Sequence, residues 1–511
     1  MEFFQFDEYV WERLLALLQY DANAPMTFTS GFFLFAFLIF GLGYMAVRRK
    51  ATLRTLFIIL VSLYFYYKLS GLYVLLLLAV AIVNYLIGGR IAHRKGLGKG
   101  SKAWVALSVI LDAGVLVFFK TAGLFEQVVN DLSGETIISL GTIIIPAGVS
   151  FFMFQSISYI VDISRGTISP AKRFIDFLFL LCFFPKIFLG PLVRNKDFLP
   201  QIEQESLPVT REDLGRASVL IAQGLIKYAV ISKAIASLLF GPAISGGFGE
   251  ELAESGVVML VALLGFGVQL YCDFSGFSDI AIGIALMMGY KLPDNFDAPF
   301  KSATITEFWR RWHISLSTWL RDYIYISLGG NRKGRLRQYF NLMMVMFVCA
   351  MWHGVNLPYV LWGLLQGGAL VLHKIWVDNV PGAQFLGKDM KPMRRILATI
   401  GCFSFITLTW VMVCSKDWEG VCTIYRRIFT DFDVADFVTL AHKAGFALVL
   451  VLIGYVMHFL PKSLNDFAVK AATRTGIVGQ LIILVVAVWL TAQCQLMLAG
   501  DGGGLPVYAA F

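Results

Sequence analysis

Uncharged apolar runs recur along nearly the whole chain, several as long as the roughly 20 residues a helix needs to cross a bilayer. The clean ones are Met26–Val47, Leu69–Gly89, Ile137–Val161, Ile396–Cys414 and Thr475–Gly500. Shorter or interrupted ones are Thr55–Tyr67, Ala103–Phe119, Phe174–Leu192, Ala217–Phe240, Val257–Tyr290, Tyr339–Trp352, Gly354–Leu372 and Ala444–Leu460. Together they predict an all-α polytopic membrane protein of about 11–13 helical elements, some of them re-entrant rather than full crossings. Pro and Gly punctuate Phe183–Arg194, which predicts a broken helix, a form tolerated at membrane depth where it is buried in protein or lines a cavity.

Polar positions between the runs orient the chain. Arg48, Arg49, Lys50 and Arg54, the loops 93–102, 165–173 and 373–395, and the segment 462–474 are basic. The loop Gly123–Glu135 has three acids and no base. By the positive-inside rule the basic loops face the cytoplasm, which puts both termini outside. Residues 1–25, with Trp11 and Phe3, Phe4 and Phe6, are expected to form an external amphipathic helix on the membrane surface. Residues 26–500 then form one membrane domain, and 501–511 an external tail.

Composition sharpens this picture. Of 511 residues, 58% are hydrophobic and 15% charged, against about 25% charge in soluble chains. The net charge of +9 is explained by the cytoplasmic loops, and no nucleic-acid partner is expected. The seven cysteines form no CxxC pair and the six histidines no HxxxH or HExxH spacing, so no metal is expected. No internal repeat is evident, which counts against a transporter or lipid flippase.

An ionisable residue inside a membrane is a functional candidate by default. His353 lies between the uncharged arms Tyr339–Trp352 and Gly354–Leu372. A first arm of 14 residues spans about 21 Å, short of the ~30 Å hydrocarbon core, so the tip Trp352-His353-Gly354 is expected inside the bilayer. Desolvation there favours the neutral imidazole, a form able to take a proton from an alcohol. A histidine bonded to a backbone carbonyl is the alternative. His313 sits in Phe308-Trp309-Arg310-Arg311-Trp312-His313-Ile314-Ser315-Leu316-Ser317. Helical spacing puts Trp309, Trp312, Leu316 and Leu320 on one face of a basic interfacial helix. Arg332, Lys333 and Arg335, in a Gly-rich stretch, suit the phosphates of coenzyme A or, by charge alone more readily, anionic lipid headgroups. Asp273 and Asp279 lie in apolar surroundings and need partners, either arginines or helix ends at a break in the span. The tail ends Val507-Tyr508-Ala509-Ala510-Phe511, apolar enough that docking is expected.

Taken in order, Tyr271–Gly283, Pro293–Phe296, Phe308–Ser317, Trp319–Tyr323, Leu328–Gly330, Trp352–Gly354 and Trp362–Gly363 resemble the membrane-bound O-acyltransferase family, in its bacterial alginate and peptidoglycan O-acetylation branch. Pro146–Phe151, Phe154–Tyr159, Asp162, Phe184–Pro185 and Gly190–Pro191 add to the likeness, which runs over about 146–373. The sequence departs from the branch at Ser327, where proline is usual, and at Val348–Met351, where a Ser/Gly-containing run is usual.

The resemblance implies a ring of tilted helices around a membrane tunnel. It assigns His353 as the catalytic base and His313 as its polar support. Trp352, Trp309, Trp312, Ser315, Ser317, Asp273, Ser275 and Gln155 are implied as tunnel or supporting residues. The implied donor is cytoplasmic acetyl-CoA. The implied final acceptor is a cell-envelope polysaccharide outside the plasma membrane, reached through an esterase-like periplasmic or extracellular transferase. Some relatives end in an aromatic motif whose tyrosine carries the acyl group. Tyr508 is similar in position but lacks the flanking aromatics, and is expected to be that relay. D-alanyl transfer from a carrier protein to teichoic acid is the alternative within the class.

Overall fold

The computed structural model describes residues 15–139, 144–240, 255–380, 390–415 and 417–498. Among these every regular element is a helix. Eight stretches are long and apolar enough to cross a membrane. The first, Ala51–Gly96, holds two helices, Ala51–Ser70 and Val74–Gly96, broken at Gly71–Tyr73. The shorter apolar helix Gly31–Val47 precedes them, its start capped where Ser30 Oγ accepts from Phe33 N at 3.3 Å. The all-helical, polytopic architecture expected from the apolar runs is the one observed.

Three expectations are corrected. The run Ile137–Val161 is not one helix. The helix is Val149–Arg165, preceded by Gly148 at φ +72°. A Cβ at Gly148 would lie 2.2 Å from the Ile187 carbonyl oxygen, so tight packing and a left-handed backbone end the helix there. The N-terminal helix does not reach residue 25. Residues 1–14 lie outside those described, and among the described residues the helix ends at Leu18. Lys68 Nζ donates to the carbonyls of Leu17 at 2.8 Å and of Gln19, closing that end. The helix that ends at His353 begins at Arg335, not Tyr339, giving 19 residues. At 1.5 Å per residue that is about 28 Å, close to the hydrocarbon thickness.

Burial separates lipid-facing from core helices. In Lys102–Ser133 and Lys462–Met497 only 17% of the apolar window is buried within the protein, whereas in Gly256–Met287 it is 78%. The former present isoleucines and valines outward, such as Ile110, Val117, Ile482 and Val485. A helix apolar all round and enclosed by protein is a core helix, and Gly256–Met287 carries Asp273, Ser275, Ser278 and Asp279.

The chain forms two compact units. Among the described residues, one takes 15–210 with Ile284–Leu292; the other takes Arg211–Gly283 and 293–498. In the first, Phe174–Cys182 stops before a single turn, Phe184–Ile187, and the chain runs irregular and buried to Asn195. A Cβ at Gly190 would lie 2.3 Å from Lys186 Cα, so the expected break rests on a close backbone approach. In the second, the helix Arg211–Leu225 meets Gly256–Met287 through glycines. A Cβ at Gly224 would lie 2.6 Å from the Gly276 carbonyl oxygen, and one at Gly283 would lie 2.6 Å from Ile221 Cγ1. Small residues of this kind let membrane helices approach backbone to backbone.

Candidate active site

The second unit assembles the two histidines. Helix Arg335–His353 ends on the Gly354 N–H, which donates to the Ala350 carbonyl at 3.0 Å. Asn356 then caps Leu357–Asn379, its Oδ1 accepting from Tyr359 N at 3.0 Å. The hairpin expected around Trp352-His353-Gly354 is therefore present, with a tip of three residues, 354–356. The arms are held close: a Cβ at Gly363 would lie 2.5 Å from Ala350 Cβ. A Cβ at Gly354 would meet the Tyr359 ring at 2.5 Å, so the tip has no room for a larger residue.

His353 is half-buried at this tip. Its ring lies 4.6 Å from that of Trp352, 5.5 Å edge-on from Trp362, and 6.3 Å from Tyr359 at an interplanar angle of 12°. Three aromatic rings thus fix the imidazole plane and leave part of it accessible, which is what a group that meets a reactant requires.

His313 is only 1% exposed. Its ring packs edge-on against Phe274 at 4.5 Å and lies 6.1 Å from Trp352, which in turn touches His353. Burial, and then the proximity of His353, hold its pKa well below the ordinary imidazole value, so it stays neutral at neutral pH.

The segment bearing His313 is not the continuous helix expected from the spacing of Trp309, Trp312, Leu316 and Leu320. It is two short helices, Ile305–Arg311 and Ile314–Leu320, and His313 between them has φ +43° and ψ +55°. That left-handed region is uncommon for a residue with a Cβ and costs on the order of 1–3 kcal/mol, so surrounding contacts must impose it. Asn295 imposes it. Its carbonyl accepts from Ile314 N at 2.9 Å, and its Oδ1 accepts from Ser315 N and Ser315 Oγ at 3.2 and 2.9 Å. Its Nδ2 donates to Ser278 Oγ on the core helix at 3.2 Å. Ser317 N donates to the His313 carbonyl at 2.9 Å, and Ser317 Oγ to the Trp312 carbonyl at 3.2 Å. Trp312 is buried, near-parallel to Phe308 and edge-on to Phe296. Trp309 Nε1 donates to Gln366 Oε1 at 3.2 Å, and Gln366 Nε2 donates to Thr409 Oγ1 at 2.9 Å.

Asn295→Ala is therefore expected to lower turnover by about tenfold or more with KM little changed, because it displaces a supporting residue without touching the reactant. Ser278→Ala, which leaves the three bonds to residues 314 and 315, should do less. Steady-state rates of the two variants, compared with their thermal midpoints, check this.

Of the other expected site residues, Ser315, Ser317, Trp309, Trp312 and Trp352 are gathered around the histidines as described. The expectation for Asp279 is corrected. No break interrupts the helix Gly256–Met287, and the partner of Asp279 is not an arginine but Lys227, at 2.6 Å, on a π-helical segment Ile226–Ser232. Asp273 Oδ1 accepts from Ser232 Oγ at 3.4 Å, and Ser275 is buried beside it. The intact helix needs no capping carboxylate because the irregularity lies in its neighbour. Gln155 belongs to the first unit. Its Nε2 donates to Asn195 Oδ1 at 2.5 Å, and Asn195 Nδ2 donates to Asp162 Oδ2 at 2.9 Å and to Ser158 Oγ at 3.2 Å. Arg332, Lys333 and Arg335 are exposed, around a turn with Gly329, Gly330 and Gly334 at positive φ. Tyr508 lies outside the described residues.

Sequence reasoning gave no role to Asn295, Gln366 or Tyr359. Asn295 stood in the Pro293–Phe296 string, but nothing local marked it as the clamp on a segment 20 residues away.

The profile of the membrane-bound O-acyltransferase family matches residues 169–415. The probable alginate O-acetylase AlgI of Pseudomonas aeruginosa is 35% identical, over 79% of this chain and 75% of its own length. The peptidoglycan O-acetyltransferase of Helicobacter pylori is 31% identical, over 78% of this chain and 79% of its own. A teichoic acid D-alanyltransferase of Streptococcus thermophilus is 30% identical over 53% of this chain and 68% of its own. The matched region contains both histidine motifs, and the chain belongs to the membrane-bound O-acyltransferase family.

Proposed function

We propose that this enzyme is a plasma-membrane O-acetyltransferase that takes acetyl from cytoplasmic acetyl-CoA toward an extracytoplasmic cell-envelope polysaccharide, with His353 as the general base. The observation that carries the reading is the half-accessible imidazole of His353 at a tip lined by aromatic rings, beside the enclosed His313. A neutral imidazole there can take a proton from an attacking hydroxyl and return it to the departing thiolate. Relatives named for O-acetylation of alginate and of peptidoglycan, at 35% and 31% identity over most of their length, support the acetyl donor and the polymer class.

The proposed relay is Tyr508. His353 removes the phenolic proton. The phenolate attacks the thioester carbonyl of acetyl-CoA, the C–S bond breaks, and coenzyme A leaves as thiol with that proton. The tyrosyl acetate passes its acetyl to a partner transferase of esterase type. A phenol pKa of about 10 makes the ester a better donor than an alkyl ester. A tethered ester also keeps coenzyme A inside the cell.

Incubation of the purified chain with radiolabelled acetyl-CoA, followed by peptide mass spectrometry, tests this. Label is expected on Tyr508 in the wild type and absent in Tyr508→Phe and in His353→Ala. A Tyr508→Phe protein that supports polymer acetylation at the wild-type rate would refute the relay. The D-alanyl reading has its own support in the teichoic acid D-alanyltransferases among the relatives. It requires label from a D-alanyl carrier protein and none from acetyl-CoA.

A further inference from the structure

A cleft of about 700 Å³ opens on the second unit, apart from the hairpin tip. Its floor is aromatic: Phe300, Phe403 and Tyr455 pack pairwise at 5.6–6.1 Å between ring centroids. Its sides are Ile396, Ile400 and Phe459, which are all exposed on membrane-spanning helices, Ile400 by 56%. A crevice with such walls is open to lipid rather than to water.

Its mouth is charged, and of one sign in excess. Lys301, Arg311 and Arg395 all line the cleft. Arg311 and Arg395 share Glu307, at 2.9 and 3.2 Å. Asp297 holds Lys462 at 2.8 Å and Arg311 at 3.6 Å. Lys301 Nζ donates to the Leu460 carbonyl at 2.8 Å. Among the described residues this cluster thus sets four cations against two carboxylates. Burial, and then the positive charge of Arg311, hold the Lys301 ammonium below its ordinary pKa. An anion placed there would relieve that repulsion. By the positive-inside rule the loop 373–395 and the segment 462–474 face the cytoplasm, so this mouth lies at the cytoplasmic leaflet, where anionic lipid headgroups are found.

We propose that the cleft seats one anionic phospholipid, with an acyl chain against Phe300, Phe403 and Ile400 and its headgroup phosphate on Lys301, Arg311 and Arg395. The volume falls in the range of about 300–1,000 Å³ typical of small-molecule sites. The seat also touches the catalytic segment from behind. Phe300 lies near-parallel to Trp312 at 6.3 Å, and the Arg311 carbonyl accepts from Asp297 N at 3.0 Å, two residues before His313. A bound lipid therefore braces the segment whose backbone is strained at His313.

Native mass spectrometry of the delipidated full chain in detergent, titrated with phosphatidylglycerol and separately with phosphatidylcholine, tests the proposal without reference to enzyme activity. The wild type is expected to retain one phosphatidylglycerol at least tenfold more tightly than phosphatidylcholine. A Lys301→Gln/Arg395→Gln variant is expected to lose that preference, since each surface cation contributes about fivefold to anionic-lipid binding. Ile400→Trp, a lipid-exposed change that fills the cleft and leaves the cations in place, is expected to lose retention of both lipids. Wild-type retention in Ile400→Trp, or equal affinity of the wild type for the two lipids, would overturn the proposal. So would competitive displacement of phosphatidylglycerol by acetyl-CoA, which would assign the cleft to the donor.

Discussion

His353→Ala is expected to reduce acyl transfer by about 10²–10⁴-fold, the range supplied by a positioned acid–base group, while the protein still folds. The two halves of this expectation have separate physical grounds. The rate falls because the Trp352, Trp362 and Tyr359 rings packed on His353 hold no base at neutral pH, and His313 beyond Trp352 is enclosed, out of reach of a reactant. The fold survives because His353 is half-buried at a helix end, so alanine removes a partly exposed ring rather than opening a sealed core cavity. His313→Ala should behave differently. The residue is enclosed, packs on Phe274, and occupies a strained backbone position, so its loss should lower both rate and thermal stability. The measurement is donor-dependent acyl transfer in detergent alongside a thermal midpoint for each variant. A His353→Ala enzyme within tenfold of wild type, or one that fails to fold while His313→Ala folds normally, would remove His353 from the chemistry.

How far the site could be read in advance depended on whether its determinants are local. The tip at His353 was legible because two uncharged arms flank a single ionisable residue, a pattern contained in about 35 consecutive positions. The break at His313 was not. Trp309, Trp312, Leu316 and Leu320 keep a helical period across it, and the break comes from Asn295, which bonds residues 314 and 315 and reaches Ser278 on another helix. The same holds for Asp279. Its sequence neighbourhood shows a lone carboxylate in an apolar run, whereas its partner Lys227 is 52 positions away. The start of helix Val149–Arg165 was misplaced because hydropathy does not register that Gly148 is pressed on Ile187. The all-helical, polytopic fold, by contrast, follows from composition summed over windows of about 20 residues, where single contacts matter little.

The Lys227–Asp279 pair should show the largest stability effects. Its 2.6 Å contact joins two membrane-spanning stretches, and its side chains are 16% and 18% exposed. The helices that carry it touch through Gly224 and Gly276, so neither side chain can swing out to water without parting that contact. Lys227→Met leaves the Asp279 carboxylate buried without its cation, a loss expected to cost about 3–5 kcal/mol. Asp279→Leu strands the ammonium in the same way and should cost as much. The double variant removes both charges and restores an apolar contact, so it should return close to wild-type stability, about 3–5 kcal/mol above either single variant. Phe274 on the same helix abuts His313, so the single variants should also lose activity through misplacement of that residue, and the double variant should regain part of it. Unfolding by SDS, followed by tryptophan fluorescence in mixed micelles, gives the three stabilities on one scale. If the three effects are additive, the two charges do not act as a pair. If the single variants unfold at the wild-type SDS fraction, the contact contributes nothing and the glycine interface alone holds the two helices together.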